Sequence, residues 1–221
     1  PLFRSAVQKV AHSFEHANPD VVGNKRRILV SDLAGRSNIV MKAQEMGIRI
    51  SNDTPELKNI LTKVKEQEHL GYDYEGAEGS LALLIRKALG RVDPAFDLEA
   101  YHVSMRGDSL EHVCEATVKV RVGNKIAHTV ADGDGPVNAL DQALRNALGS
   151  FYPLLKKVKL TDYKVRILNS SRAFGTAAKT RVSIESTDGK ERWYTVGVNE
   201  NIIEASLQAL LDGIEFRLLK K

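Results

Sequence analysis

The stretch HTVADGDGPVNALDQALRNAL, from His128 to Leu148, joins two sequence patterns at one short turn. It begins as a strand-like segment and, from Pro136 onward, has apolar residues at the spacing of a helix. The turn contains Gly133 and Gly135, and proline fits the first helical position because an N–H group there has no partner within the helix. The stretch therefore predicts a strand that passes directly into a helix.

The chain after Phe96 contains this pattern twice. Tyr101-His102-Val103 matches Tyr163-Lys164-Val165, 62 residues later, and the offset becomes 66 after a longer turn in the second copy. The other matching residues are Ala116, Val118, Val120, Thr129, Ala139 and Leu144 against Ala178, Thr180, Val182, Thr195, Ala205 and Leu210. Each copy reads strand, strand, strand, helix. One such unit buries little apolar area, so we expect two copies to pack into a pseudo-symmetric βββα–βββα domain of the α+β class.

The residues before Phe96 have helical rather than strand-like spacing. Ser37 or Asn38 is expected to cap a first helix that Gly47 ends. The stretch 51–55, with a capping side chain and a proline, predicts the start of a second helix that ends at Gly71. A third helix is expected over about 75–89. Residues 52–90 thus read as a small helical hairpin.

Composition limits the class of protein. The chain has 221 residues, 43% hydrophobic and 27% charged, as in soluble globular proteins. It shows neither a transmembrane run nor a signal peptide, and the single Cys114 is typical of a reducing cytosol, so we expect a cytoplasmic protein. The basic run Lys25–Arg27 could contact phosphate, but aromatic residues make up only 6%, which argues against nucleic-acid binding.

The turn Gly133–Gly135 is open to two interpretations. As a binding site, it would offer the bare N-terminus of a helix, with its positive dipole end, to a small carboxylate that has an apolar body. As plain structure, it would be only a tight turn. In the second copy we expect Asn199 to cap the helix, so the two copies differ at this point. His12 and His16 share a helical spacing, but the further ligands of a metal site are missing, and no metal is expected here.

Several motifs together resemble one known family. NPDVVGNKRR (residues 18–27) and VSDLAGRSN (residues 30–38) resemble the region that follows the catalytic barrel of the citramalate and 2-isopropylmalate synthases. GYDYEGAEGSLALLIRKAL (residues 71–89) looks like the citramalate branch. DGDGPVNALDQAL (residues 132–144) and TVGVNENIIEASLQALLD (residues 195–212) are similar to the C-terminal allosteric, dimer-forming domain of these enzymes.

The resemblance implies an acyltransferase that condenses acetyl-CoA with a 2-oxo acid, pyruvate in the citramalate branch, in a barrel that holds a divalent metal. We expect this chain to be the C-terminal part of such an enzyme, inactive alone and without a cofactor of its own. It would comprise connecting subdomain I (1–51), helical connecting subdomain II (52–93) and the regulatory domain (96–221). Phe14 occupies the position of a catalytic tyrosine in this family, and it has no hydroxyl group.

The family's regulatory domain binds a branched-chain amino acid as feedback inhibitor in a homodimer. Carried over motif by motif, the resemblance assigns these residues to the effector site: Gly133, Gly135, Val137, Asn138, Leu160, Tyr163, Ile167, Ala178 and Asn201. The turn 199–203 would close the site from the second subunit.

Three functions are therefore compared. The first is the regulatory part of a citramalate synthase that senses isoleucine, and its close alternative is that of a 2-isopropylmalate synthase that senses leucine. The second is a stand-alone amino-acid-sensing dimerisation module. The third, nucleic-acid binding through Lys25–Arg27, is the least supported. We expect neither nucleic acid nor a membrane as a partner, and acetyl-CoA and the 2-oxo acid only through the barrel.

Overall fold

A computed structural model describes residues 35–107, 112–168 and 178–220. The described chain alternates helices and antiparallel strands, which confirms the α+β class. The helices are α1 (Arg36–Glu45), α2 (Leu57–Leu70), α3 (Glu78–Ala88), α4 (Pro136–Gly149) and α5 (Ile202–Leu219). The strands are β1 (Asp97–Gly107), β2 (His112–Val122), β3 (Lys125–Gly133), β4 (Lys159–Leu168), β5 (Lys179–Thr187) and β6 (Arg192–Asn199). One 3-10 helix, Pro153–Lys157, connects α4 to β4.

The internal repeat is present as two copies of the same unit. The strands form two antiparallel three-stranded sheets, ordered β1-β2-β3 and β4-β5-β6, and a helix follows each. Equivalent residues make equivalent bonds: the Thr129 hydroxyl donates to Ala143 O at 2.8 Å, and the Thr195 hydroxyl donates to Ala209 O at 2.8 Å. Both bonds fasten a third strand to the helix of its own copy.

The two copies share one hydrophobic core. The inner faces of both sheets and the facing sides of α4 and α5 contribute to it, because strand residues alternate between faces and helix residues repeat every third or fourth position. Its fully buried members include Val118, Leu140, Leu144, Val182 and Ile184. The pairing confirms that two βββα units bury together what one could not.

The helices α1–α3 form a second cluster that covers the outer face of β6. Val196 and Val198 of β6 belong to this cluster and are 1% and 9% exposed. Helix α2 ends at Gly71, which has a left-handed φ of 112° and can adopt it without strain. The sequence-based division into three subdomains remains a prediction.

Two predicted helix caps are wrong. Helix α1 begins at Arg36, and the backbone carbonyl of Gly35 accepts from Asn38 N at 3.0 Å, so Ser37 and Asn38 lie inside the helix. The cap of α5 is Asn201, whose side chain accepts from Ile203 N at 2.9 Å. Asn199 instead accepts from Asn201 N at 2.8 Å, because β6 extends to Asn199 and leaves it too early to cap the helix.

None of the helices in the described residues is both long and apolar enough to cross a membrane.

Candidate functional site

The N-terminus of α4 has no side-chain cap. Gly135 is the N-cap residue, Pro136 follows it, and the extended backbone at Gly135 (φ −167°, ψ 171°) is one that any residue adopts. A Cβ added to Gly135 would meet nothing within 4 Å. The space beside the N-cap residue is therefore open, as expected for a helix end that could receive an anion.

Gly133 has a different environment. A Cβ on Gly133 would lie 2.4 Å from Ala139 N and 2.7 Å from its Cα. The end of β3 therefore packs directly on the first turn of α4, and glycine is the residue that allows this approach. Asn138 strengthens the junction, because its Oδ1 accepts from Asp134 N at 3.2 Å.

A cavity of about 800 Å³ lies between α4 and the start of β4. Four predicted effector residues line it, namely Val137, Asn138, Leu160 and Tyr163. Its remaining lining residues are Asp141, Arg145, Asn146, Gly149, Leu155, Lys156, Val158 and Lys159. The volume lies within the range of roughly 300–1,000 Å³ that small-molecule sites occupy.

The charges of this cavity favour an anionic group. Three cationic side chains line it against the single carboxylate of Asp141, one oxygen of which is engaged, because Arg145 Nε donates to Asp141 Oδ2 at 2.8 Å. Lys156 and Lys159 remain at the cavity with no carboxylate partner among the described residues. Together with apolar walls, this arrangement suits a carboxylate that carries an aliphatic body.

Arg145 also holds the wall of the cavity in place. Its Nη1 donates to Val158 O at 2.6 Å and to Leu155 O at 3.4 Å, so it ties the connection between α4 and β4 back to the helix. Sequence reasoning missed Asp141 and Arg145, although their i, i+4 spacing on a helix was a signal that the two side chains pair.

Tyr163 connects the cavity to the helix of the second copy, to which Tyr163 itself belongs. Its hydroxyl lies 2.7 Å from the hydroxyl of Ser206 on α5. Ser206 donates its one proton to Ile202 O at 2.6 Å, so Tyr163 must be the donor in the first bond. This bond fastens β4, which lines the cavity, to the helix α5 of the same copy.

The other predicted effector residues lie outside this cavity. Ile167, farther along β4 on the same face as Tyr163, is 64% exposed, and Ala178 is 9% exposed next to β5. Asn201 lines a second cavity of about 540 Å³, together with Pro136 of α4 and Tyr101 of β1. Gly133 and Gly135 line neither of these two cavities.

The second cavity is the repeat equivalent of the predicted site, with different chemistry. Asn201 has the repeat position of Gly135 and caps its helix, and Glu204 has that of Asn138 and accepts a hydrogen bond from the Tyr101 hydroxyl. This bond raises the pKa of Tyr101 to about 12. A capped helix end next to a carboxylate is unsuited to a second carboxylate, so the two copies are not interchangeable as anion sites.

Phe14, His12, His16 and the basic run Lys25–Arg27 lie outside the described residues. Within the part of the chain that is described, no group of three or more histidine, cysteine, aspartate or glutamate side chains is placed to hold a metal ion.

The fold and the cavity define a duplicated βββα domain with a ligand-sized cavity beside its first helix. Residues 75–218, more than half of the chain, match the model of the LeuA allosteric (dimerisation) domain. The chain belongs to this family. The description of the family supports the homodimer expected from the sequence.

Curated relatives extend the match beyond this domain. The chain is 55% identical over 219 residues to an (R)-citramalate synthase of Aquifex aeolicus, covering 98% of the chain and 41% of the relative. It is 51% identical over 218 residues to an (R)-citramalate synthase of Geobacter sulfurreducens, again covering 98% and 41%. A 2-isopropylmalate synthase of Shewanella frigidimarina is 26% identical over 212 residues, covering 95% and 38%. The chain thus spans about two fifths of the length of these relatives.

Proposed function

We propose that this chain is the C-terminal regulatory part of a citramalate synthase, an acyltransferase that joins acetyl-CoA and pyruvate, and that it binds isoleucine as a feedback inhibitor. The difference between 55% identity to a citramalate synthase and 26% identity to a 2-isopropylmalate synthase supports the citramalate branch. The divalent metal, acetyl-CoA and pyruvate would bind a catalytic barrel, and the described residues would bind the effector.

The cavity between α4 and β4 carries the proposal. It combines apolar side chains, unpaired lysines and the uncapped first turn of a helix nearby, which are the groups that a branched-chain amino acid requires. Ile167 at the exposed end of β4 and Asn201 in the turn before α5 do not line this cavity within one subunit. We infer that a second subunit brings such a turn to the site, and that the acting form is a homodimer.

The test is calorimetric titration of this chain with isoleucine, leucine and valine. We expect saturable binding of all three with isoleucine tightest. The matched control ligand is 2-methylbutylamine, which is isoleucine without its carboxylate and should not bind. Tightest binding of leucine would transfer the proposal to the 2-isopropylmalate branch, since one moved branch changes affinity by only about 1–3 kcal/mol.

A pair of variants tests the location of the site. Val137→Phe places a ring in the cavity and should abolish isoleucine binding. The same change at Val130, which is 55% exposed on the outer face of the first sheet, should leave binding unchanged. Equal binding by both variants would place the effector elsewhere.

The stand-alone module is the second candidate, and the match between residues 75–218 and an allosteric domain would hold for it equally. A barrel-coding sequence joined to this chain in its gene would reject it.

A further inference from the structure

The outer edge of β6 is closed by side chains rather than by another strand. β6 is the last strand of its sheet, so alternate backbone N–H groups point away from the sheet and need a partner. Val196 N donates to the hydroxyl of Ser80 on α3 at 3.0 Å. Val198 N donates to Gln208 Oε1 on α5 at 3.1 Å. The edge of the second sheet is therefore bound to two different helices.

The helical hairpin and α5 hold these two side chains between them. The Tyr72 hydroxyl, in the connection between α2 and α3, donates to the same Gln208 Oε1 at 2.9 Å. The Ser80 hydroxyl donates to Asp212 Oδ2 on α5 at 2.6 Å. We name this set of four side chains, Tyr72, Ser80, Gln208 and Asp212, the β6 junction.

The β6 junction is tight. A Cβ on Gly79 would lie 2.7 Å from Tyr194 O, so α3 lies directly against the backbone of β6. Lys87 on α3 pairs with Glu215 on α5 at 2.7 Å, and the Glu215 residue is only 8% exposed. The close backbone contact fixes α3 on β6, and the half-buried ion pair fixes α3 on α5.

In the first copy, the glutamine at the position of Gln208 has a different partner. Gln142 has the repeat position of Gln208, but its Nε2 donates to Asn138 Oδ1 at 2.9 Å, and Asn138 lines the cavity between α4 and β4. Among the described residues no helix covers the outer face of β3, where Val130 is 55% exposed against 1% for its equivalent Val196. The duplication therefore places one glutamine on a residue that lines the cavity, Asn138, and its equivalent at the β6 junction.

The strand β6 connects the junction to the helix N-termini. The turn that follows β6 ends at Asn201. Asn201 caps α5 and lines the second cavity together with Pro136 of α4. A displacement of this turn moves the end of β6, and with it Val198 N, which shares the acceptor Gln208 Oε1 with the Tyr72 hydroxyl.

We propose that the β6 junction couples occupancy of the effector site to the docking of the helical hairpin 57–88, with the Tyr72 and Ser80 hydroxyls as the coupling groups. This inference rests on the effector site proposed above and adds the route by which its state leaves the sensing domain. The element that responds to the effector is the hairpin, which precedes the sensing domain in the chain. Both hydroxyls act as positioning groups and contact no ligand.

The experiment is amide hydrogen exchange on this chain with and without saturating isoleucine. In the wild type we expect isoleucine to slow exchange in 57–88 by about fivefold or more, the lower end of measured coupling between sites. Tyr72→Phe and Ser80→Ala should still bind isoleucine but lose this effect in 57–88. Tyr152→Phe is the matched control, because its hydroxyl donates to Ala95 O at 2.5 Å, away from the junction, and it should behave as the wild type.

The outcomes separate the two proposals. Isoleucine binding that leaves exchange of 57–88 unchanged in the wild type overturns the coupling and leaves the effector site intact, and this reading needs no variant to fold. A wild-type response that persists in both junction variants also overturns it. Failure of the wild type to bind any branched-chain amino acid refutes the proposed function, and the coupling with it.

Discussion

Gly133 and Gly135 are two residues apart, and the structure predicts that only the first is destabilised by substitution with alanine. Gly133→Ala places a methyl group 2.4 Å from Ala139 N, where backbone must move. We expect the unfolding free energy to fall by about 1–3 kcal/mol, the usual cost of overpacking. Gly135→Ala meets no atom within 4 Å and is the matched control. Urea unfolding of both variants checks the prediction, and an equal loss in the two would contradict it.

Gly135 and Asn201 have the same position in the two copies, so the residue of the second copy can be introduced into the first. Gly135→Asn supplies the cap that Asn201 supplies to α5, so we expect a gain of a few tenths of a kcal/mol in unfolding free energy. The same side chain fills the helix N-terminus, so isoleucine affinity should drop roughly tenfold or more. Calorimetric titration together with urea unfolding measures both effects. A more stable variant with unchanged affinity would show that the α4 N-terminus does not contact the effector.

The loss of the cap in the second copy has its own expected result. Asn201→Ala removes the acceptor of Ile203 N and should cost about 1 kcal/mol of unfolding free energy, whereas Asn199→Ala, which removes a bond outside the helix, should cost less. Thermal unfolding of the pair distinguishes them, and a larger cost at Asn199 would return the cap to the position expected from sequence.

At the scale of elements, Asp212 gives the packing of α3 on α5 a dependence on pH. Burial raises the pKa of Asp212 from 3.8 to about 6, and the neighbouring Glu215 adds to this rise. The Ser80 hydroxyl and Lys87 lower the pKa but do not cancel the effect of burial. The folded chain thus holds a proton that the unfolded chain has lost between these two values. This contribution to stability is present below pH 4 and disappears as the pH rises through 6.

Asp212→Asn should remove this dependence. The amide oxygen can still accept from Ser80, and no charge is buried, so the variant should exceed the wild type at pH 7 by on the order of 2–3 kcal/mol of unfolding free energy. The difference should vanish near pH 4. Asp188→Asn is the control of opposite sign: backbone N–H groups lower the pKa of Asp188, so its loss should destabilise the chain at pH 7. Urea unfolding across pH 4–7 measures both, and a flat difference for Asp212→Asn would contradict the assignment.

The repeat pattern was enough to predict most elements of the fold. Alternating residues such as Val118 and Val182 predicted the strands, and the matching offset predicted two units with a shared core. The bulges at Leu98/Ala100 and Leu160/Asp162 could not be predicted, because they depend on pairing with β2 and β5 and leave no signal in β1 or β4 alone. The packing of α3 on β6 was missed for the same reason: it joins residues more than a hundred positions apart.

The candidate site could be predicted only in part. Matching of motifs brought four cavity residues together, since these residues lie on elements that the repeat predicts. Arg145 was missed, because its role is to hold the irregular connection at Leu155 and Val158, whose position follows from tertiary packing. The cap at Asn201 was misplaced by two residues, because the end of β6 was not marked by a glycine or proline.

At the scale of the whole molecule, the first strand of each sheet carries apolar residues beyond the reach of the core. Met105 on β1 and Ile167 on β4 have matching repeat positions, face the core side of their sheets, and are 72% and 64% exposed. Val165 adds a third such residue with 43% exposure. A second copy of the chain would bury these side chains, which is what a dimerisation domain requires.

Ile167→Asp tests this surface. A charge buried between two apolar faces is costly, so we expect the variant to sediment as a monomer of 24.4 kDa while the wild type sediments at twice that mass. Ile126→Asp is the matched control, since Ile126 is 49% exposed on the outer face of the first sheet and lies away from the proposed interface. If the turn 199–203 of one subunit closes the cavity of the other, the monomeric variant should also lose isoleucine binding. A dimeric Ile167→Asp together with a monomeric Ile126→Asp would place the interface on the outer face of the first sheet, and the effector site would then have to be complete within one subunit.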